Sequence, residues 1–166
     1  MTGLVYAGVG LLMLWGQVSL APHLAIGGIK PNLVLLSVLV LQVRWLHPWA
    51  FLFAAVAGLA VDSFSHGLLG VYAASYVVTA VLGRRLALLI YENSWPFTVL
   101  LVAGLTVLEG LVALAVLSLL DEHVPWFPWL FTRVLPQSVY HALLCPFALW
   151  GVERLERVLK LAAPRS

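Results

Sequence analysis

Three ionisable side chains interrupt otherwise apolar stretches: Asp62, Glu109 and His141. A carboxyl and an imidazole at one depth in neighbouring helices can pass a proton or hold each other by a hydrogen bond. Glu109 lies near the midpoint of an apolar run from Trp95 to Leu120, and His141 near the midpoint of the next, from Trp129 past Trp150. Consecutive elements are usually neighbours in space, so Glu109 is expected to face His141 or Tyr140. The alternative is a protonated Glu109 bonded to a backbone carbonyl or to a Ser or Thr hydroxyl. A charge in hydrocarbon costs roughly 3 kcal/mol, which is why such a residue draws attention. The usual catalytic signatures are missing: no His-Glu-x-x-His pair, no Gly-x-Ser-x-Gly elbow and no phosphate loop occur. The histidines His23, His47, His66, His123 and His141 are scattered without metal-ligand spacing. The single Cys145 allows no intrachain disulfide or multi-cysteine metal site and reads as a small buried apolar residue. No catalytic residue, metal or cofactor is expected, and the few basic residues do not form a nucleic-acid surface.

The elements that must position these groups follow from composition. The chain has 166 residues, 63% of them hydrophobic and only 10% charged, with mean hydropathy +1.03. Ordinary soluble domains carry about 25% charged residues, so the fold class is an all-α integral membrane protein. The length allows about six helices of roughly 20 residues. The first span is Gly3–Leu20; no Lys or Arg precedes it and it exceeds a signal-peptide core of about 7–15 residues. The second runs from Pro31-Asn32-Leu33 to Trp45, with the proline in its first turn. The third runs from Trp49 to Ser63, and with the second it is short enough to allow a re-entrant hairpin instead. The fourth spans Gly67–Ile90, with Tyr72, Ser75, Tyr76 and Thr79 on a face packed against protein. The fifth is Trp95–Leu120, followed by an aromatic loop, VPWFPW. The sixth starts at Trp129, with kinks expected at Pro136 and Pro146. Residues 1–152 form the transmembrane domain, and 153–166 a cytoplasmic amphipathic tail lying at the membrane surface.

Within the third span Ala50, Ala54, Gly58 and Asp62 recur every four residues and form one stripe on a helix. Three small residues permit close approach of another helix, and the stripe ends in an acid near the water boundary. Two readings of Asp62 stand together: it faces protein, and it caps the turn into the next helix with help from Ser63 and Ser65. Six spans with both termini inside put Arg44, Arg84, Arg85, Arg154, Arg157, Lys160 and Arg165 on the cytoplasmic side, against Lys30 and Arg133 outside. That asymmetry satisfies the positive-inside rule. Tryptophans 45, 49, 95 and 150 fall near the inner boundary, and 126 and 129 near the outer one.

Pro31-Asn32-Leu33 opening the second span, Gly58-Leu59-x-x-Asp62 ending the third, then Gly67 and Gly70-Val71 opening the fourth, resemble the MreD family of rod shape-determining membrane proteins. The likeness covers nearly the whole chain in length and span spacing, and residues 31–76 in motif. It departs at Asn32, where the family often has Asp, and in the turn DSFSHG. The resemblance implies a fold similar to the six-helix substrate-binding subunits of energy-coupling factor transporters. It also implies a non-catalytic scaffold in the bacterial cytoplasmic membrane that binds MreC directly. RodA, a class B penicillin-binding protein and MreB belong to the wider complex. Two other functions compete: a subunit capturing a solute in a cavity near Asp62, and an intramembrane enzyme or proton-coupled transporter using Glu109 and His141. Partner helices are expected along small-residue faces, at Gly8 and Gly16 or at Gly104.

Overall fold

A computed structural model describes residues 2–45, 49–64, 69–89, 94–120 and 124–159. Its helices are α1 (Thr2–Ser19), α2 (Leu33–Trp45), α3 (Trp49–Phe64), α4 (Val71–Leu89) and α5 (Trp95–Leu120). A final rod joins α6 (Trp126–Trp129), a π-helical turn (Leu130–Val134) and α7 (Leu135–Leu159). The backbone keeps right-handed helical angles at both joins, at Trp129 and Leu135. Among the described residues there is no strand beyond an isolated bridge between Ile26 and Ile29, across Gly27-Gly28.

Two helices are long and apolar enough to cross a membrane, Val71–Leu88 and Trp95–Leu120. Shorter apolar helices cover Gly8–Ser19, Leu33–Arg44 and Trp49–Phe64. The helix α2 is the post of the bundle. Its residues from Val34 to Val43 are all buried, on every side. A helix apolar all round has no face that prefers water, so it takes the centre. Helices α1, α3, α4, α5 and α7 all contact it.

Helix α3 is two-faced by size rather than by polarity. Ala50, Ala54, Gly58 and Asp62 are buried, whereas Leu52, Val56 and Leu59 on the other side are each at least half exposed. Small residues inward and large apolar residues outward invert the pattern of a water-soluble helix. The α3–α4 contact is the most extensive in the bundle.

The final rod departs from expectation in two places. The stretch VPWFPW is not wholly a loop, because Trp126–Trp129 is already helical. Trp126 Nε1 donates to Ser118 Oγ at 2.8 Å and holds this turn against the end of α5. The π turn precedes Pro136, which has no N–H to bond back to Thr132, and the helix is widened over those residues. Pro146 lies inside α7. The helix continues to Leu159, and Val152 and Leu155 pack on the core, so the first turn of the expected tail joins the bundle. Residues 160–166 lie outside the described residues.

Candidate functional site

Polar groups gather where α2 and α4 begin, at what is here called the head of the bundle. Asn32 is the hub. Its Oδ1 accepts from Leu35 N at 3.0 Å, and its carbonyl accepts from Leu36 N at 3.0 Å. That is the N-cap of α2, provided by a residue type suited to it. Pro31 therefore precedes the cap rather than lying in the first turn of the helix.

The same Asn32 joins three other helices. Its Nδ2 donates to Tyr76 Oη at 2.6 Å, which reaches α4. Its backbone N–H donates to His141 Nε2 at 3.1 Å, which reaches α7. His141 Nδ1 lies 3.0 Å from Thr106 Oγ1, which brings in α5. With Nε2 accepting, the neutral imidazole carries its proton on Nδ1, and the Thr106 hydroxyl accepts it. That hydroxyl also donates to Val102 O at 2.9 Å. Gln17 at the end of α1 completes the junction. Its Nε2 donates to Pro31 O at 3.2 Å, and its Oε1 accepts from Leu33 N at 2.7 Å. Ser138 Oγ donates to Ala103 O at 3.1 Å, a second α7–α5 bond. The Tyr140 hydroxyl donates to Leu24 O, tying α7 to the connector after α1.

A second device lies between α3 and α4. Asp62 is 1% exposed, and its carboxylate accepts from three backbone N–H groups. Oδ2 accepts from Gly70 at 3.0 Å and Ala73 at 3.1 Å, and Oδ1 from Tyr72 at 3.0 Å. These are the orphan donors at the start of α4, where a negative charge also meets the positive end of the helix dipole. Gly70 has φ +99, a conformation side chains rarely adopt, and this turns its N–H toward the carboxylate. One turn below, Gly58 touches the α4 backbone itself. A Cβ there would lie 2.4 Å from Ala73 Cα and 2.7 Å from Tyr72 O. Both expected roles of Asp62 are thus met by one carboxylate. Ser63 gives no help with the cap, since its hydroxyl donates to Leu59 O at 2.8 Å. The α4 helix begins at Val71, later than expected. Gly67, Ser65, His47, His66 and His123 lie outside the described residues.

The expected partnership of Glu109 with His141 or Tyr140 is not formed. Both imidazole nitrogens and the Tyr140 hydroxyl bond elsewhere, while Glu109 Oε1 is buried without a hydrogen-bond partner. Thr106, three residues earlier on α5, takes the imidazole. One turn further along the same side of α5 as Thr106, Gly110 lies against Val134: a Cβ at Gly110 would be 2.6 Å from Val134 Cγ1. Thr79 Oγ1 and both amide atoms of Gln42 are also buried and unpartnered. Among the described residues no group of three or more His, Cys, Asp or Glu is placed to hold a metal.

Neither a protein-family model, a curated protein nor a solved structure matches this chain. The site is therefore read from its own geometry. A large apolar groove of about 870 Å³ lies away from Asp62, between α1, α2 and α7. Gly8 and Gly16 line one wall, and Ala148 and Gly151 the other. Nothing lies within 4 Å of the Cβ positions of Gly8, Gly104 or Gly151. The sequence could have flagged Asn32 as a cap and Gln17 as the one strongly polar side chain of its span. It gave no sign that Thr106 would hold the imidazole, or that Gln42 would be enclosed.

Proposed function

We propose that this chain is a multi-pass, non-enzymatic scaffold of the bacterial cytoplasmic membrane, acting in the cell-elongation machinery and binding an MreC-type single-span partner through helix–helix contacts. One observation carries this reading. Asn32, Gly58, Asp62 and Gly70, four residues of the MreD-like pattern, each join one helix to another. The Asp62 carboxylate is committed to three N–H groups, which argues against its use in capturing a solute. The imidazole of His141 is likewise held at both nitrogens, which argues against a proton relay through it.

Large apolar residues cover the outside of the bundle, among them Leu11, Leu52, Val56, Leu100, Leu143 and Phe147. Such a surface suits lipid and suits partner helices. Arg44 and Glu153 approach to 3.6 Å near the end opposite the head, on the side assigned to the cytoplasm. The basic-residue asymmetry supports six crossings with both termini inside. The groove bordered by Gly8, Gly16 and Gly151 and the open Gly104 face are the places where small residues leave room for a further helix.

The test is co-expression with an MreC-type single-span protein, affinity capture and size-exclusion chromatography. A stable complex is expected, and tryptophan at Gly8, Gly16, Gly104 or Gly151 should abolish it at one face. Unchanged capture with every face blocked would refute helix-mediated binding. Labelling of the C-terminal tail from outside the cell would refute the topology.

A further inference from the structure

The seam between α4 and α5 contains two polar atoms that the rest of the fold leaves unanswered. Ser63, Ser75, Thr98, Thr106, Ser118 and Thr132 each bond the carbonyl four residues back. Thr79 does not. Its side chain is fully buried and its hydroxyl has no partner. Glu109 is 5% exposed, and its Oε1 has no partner either.

The register of the seam puts these two at one height. Gly83 on α4 meets Leu105 on α5, with its Cβ position 2.9 Å from Leu105 Cδ1. The two helices run in opposite directions. One turn toward the head from that contact is Thr79 on α4 and Glu109 on α5. Glu109 also lies within electrostatic range of Tyr72 and Tyr76, on the same face of α4 as Thr79. The groups share a level and a seam, yet they make no hydrogen bond to each other. A buried donor or acceptor left alone costs about 1–3 kcal/mol. A water needs two to four polar partners and room for one oxygen.

We propose that Thr79 and Glu109 form a buried hydration site, in which one water accepts from the Thr79 hydroxyl and donates to Oε1 of a neutral Glu109 carboxyl. The water joins α4 to α5 one turn headward of the Gly83 contact. This site does not depend on the scaffold reading, and its failure would leave that reading intact.

The purified full chain in detergent provides the test. The carbonyl stretch of a protonated carboxyl is recorded by infrared difference spectroscopy and assigned by its loss in Glu109→Gln. In Thr79→Val the band should move to higher wavenumber, because the carbonyl loses its hydrogen bond. Thermal unfolding gives a second readout. Thr79→Val should lower the midpoint of the wild type but leave that of Glu109→Leu unchanged. An unmoved band with additive thermal effects would overturn the site. Absence of the protonated band would overturn it too, and a midpoint that also falls when choline replaces sodium would put a cation in place of the water. If Glu109→Leu does not fold, the infrared comparison of wild type and Thr79→Val still decides.

Discussion

Replacing Gly58 with alanine should loosen the α3–α4 pair more than any other single methyl added to the bundle. The new Cβ would stand 2.4 Å from Ala73 Cα, 2.7 Å from Ala73 N and 2.7 Å from Tyr72 O, all backbone atoms that no rotamer change can move. Ordinary contact begins near 3.4 Å, so the helices must part by about 1 Å. The Asp62 bonds, at 3.0, 3.0 and 3.1 Å, lie one turn away and would stretch toward 4 Å, beyond hydrogen-bond range. Overpacking alone costs about 1–3 kcal/mol, and weakening a bond to a charged group adds about 1.5–3 kcal/mol. Partial relaxation shares the strain between these two effects, and a net loss of about 2–3 kcal/mol is expected. Unfolding by SDS titration of the purified protein, followed by circular dichroism, measures it. Gly104→Ala is the control, since nothing lies within 4 Å of its Cβ position and alanine favours a helix by about 0.5–1 kcal/mol. If Gly58→Ala were as stable as wild type, or matched Gly104→Ala, the close crossing of α3 on α4 would be wrong.

Other perturbations separate the two polar devices. Asp62→Ala leaves three N–H groups at the head of α4 without their acceptor and should cost about 2 kcal/mol, with hydrogen exchange rising at Gly70, Tyr72 and Ala73. Asn32→Ala removes the α2 cap and the link to Tyr76 and should lower stability by about 1–2 kcal/mol. Asn32→Asp should retain more stability than Asn32→Ala in the same titration, because a carboxylate still caps Leu35 and the Tyr76 hydroxyl can donate to it. Gln17→Ala should raise hydrogen exchange along α1 while sparing α4 and α5, since its two bonds tie α1 to the head of α2.

The parts of the fold that were legible depended on local spacing. Four residues at intervals of four marked the buried face of α3, and that face carries both the glycine contact and the acid. Tyr72, Ser75, Tyr76 and Thr79 marked the protein-facing side of α4 in the same way, and the last three are buried. The pairing of Glu109 with His141 failed because position along a helix gives height and not direction around it. Thr106 and Glu109 are three residues apart, so they point about 60° apart around α5. Thr106 is turned to α7 and its imidazole, while Glu109 is turned to α4. The central place of α2 was written in its run of Leu and Val, broken only by Ser37 and Gln42, which do not make a polar face, but the stripe on α3 drew attention first. The π turn had a weaker cue, in Pro136 alone.

The bond from Asn32 N to His141 Nε2 spans 109 residues of chain. A ribosome makes the donor long before it makes the acceptor, and domains are built from the N-terminal side first. Until the last helix arrives, the top of the central post keeps a bare amide, and the bundle stays unfinished however well its first five helices have met. A chain lacking α7 would leave that amide without its acceptor, so the head of the bundle closes only when His141 is in place.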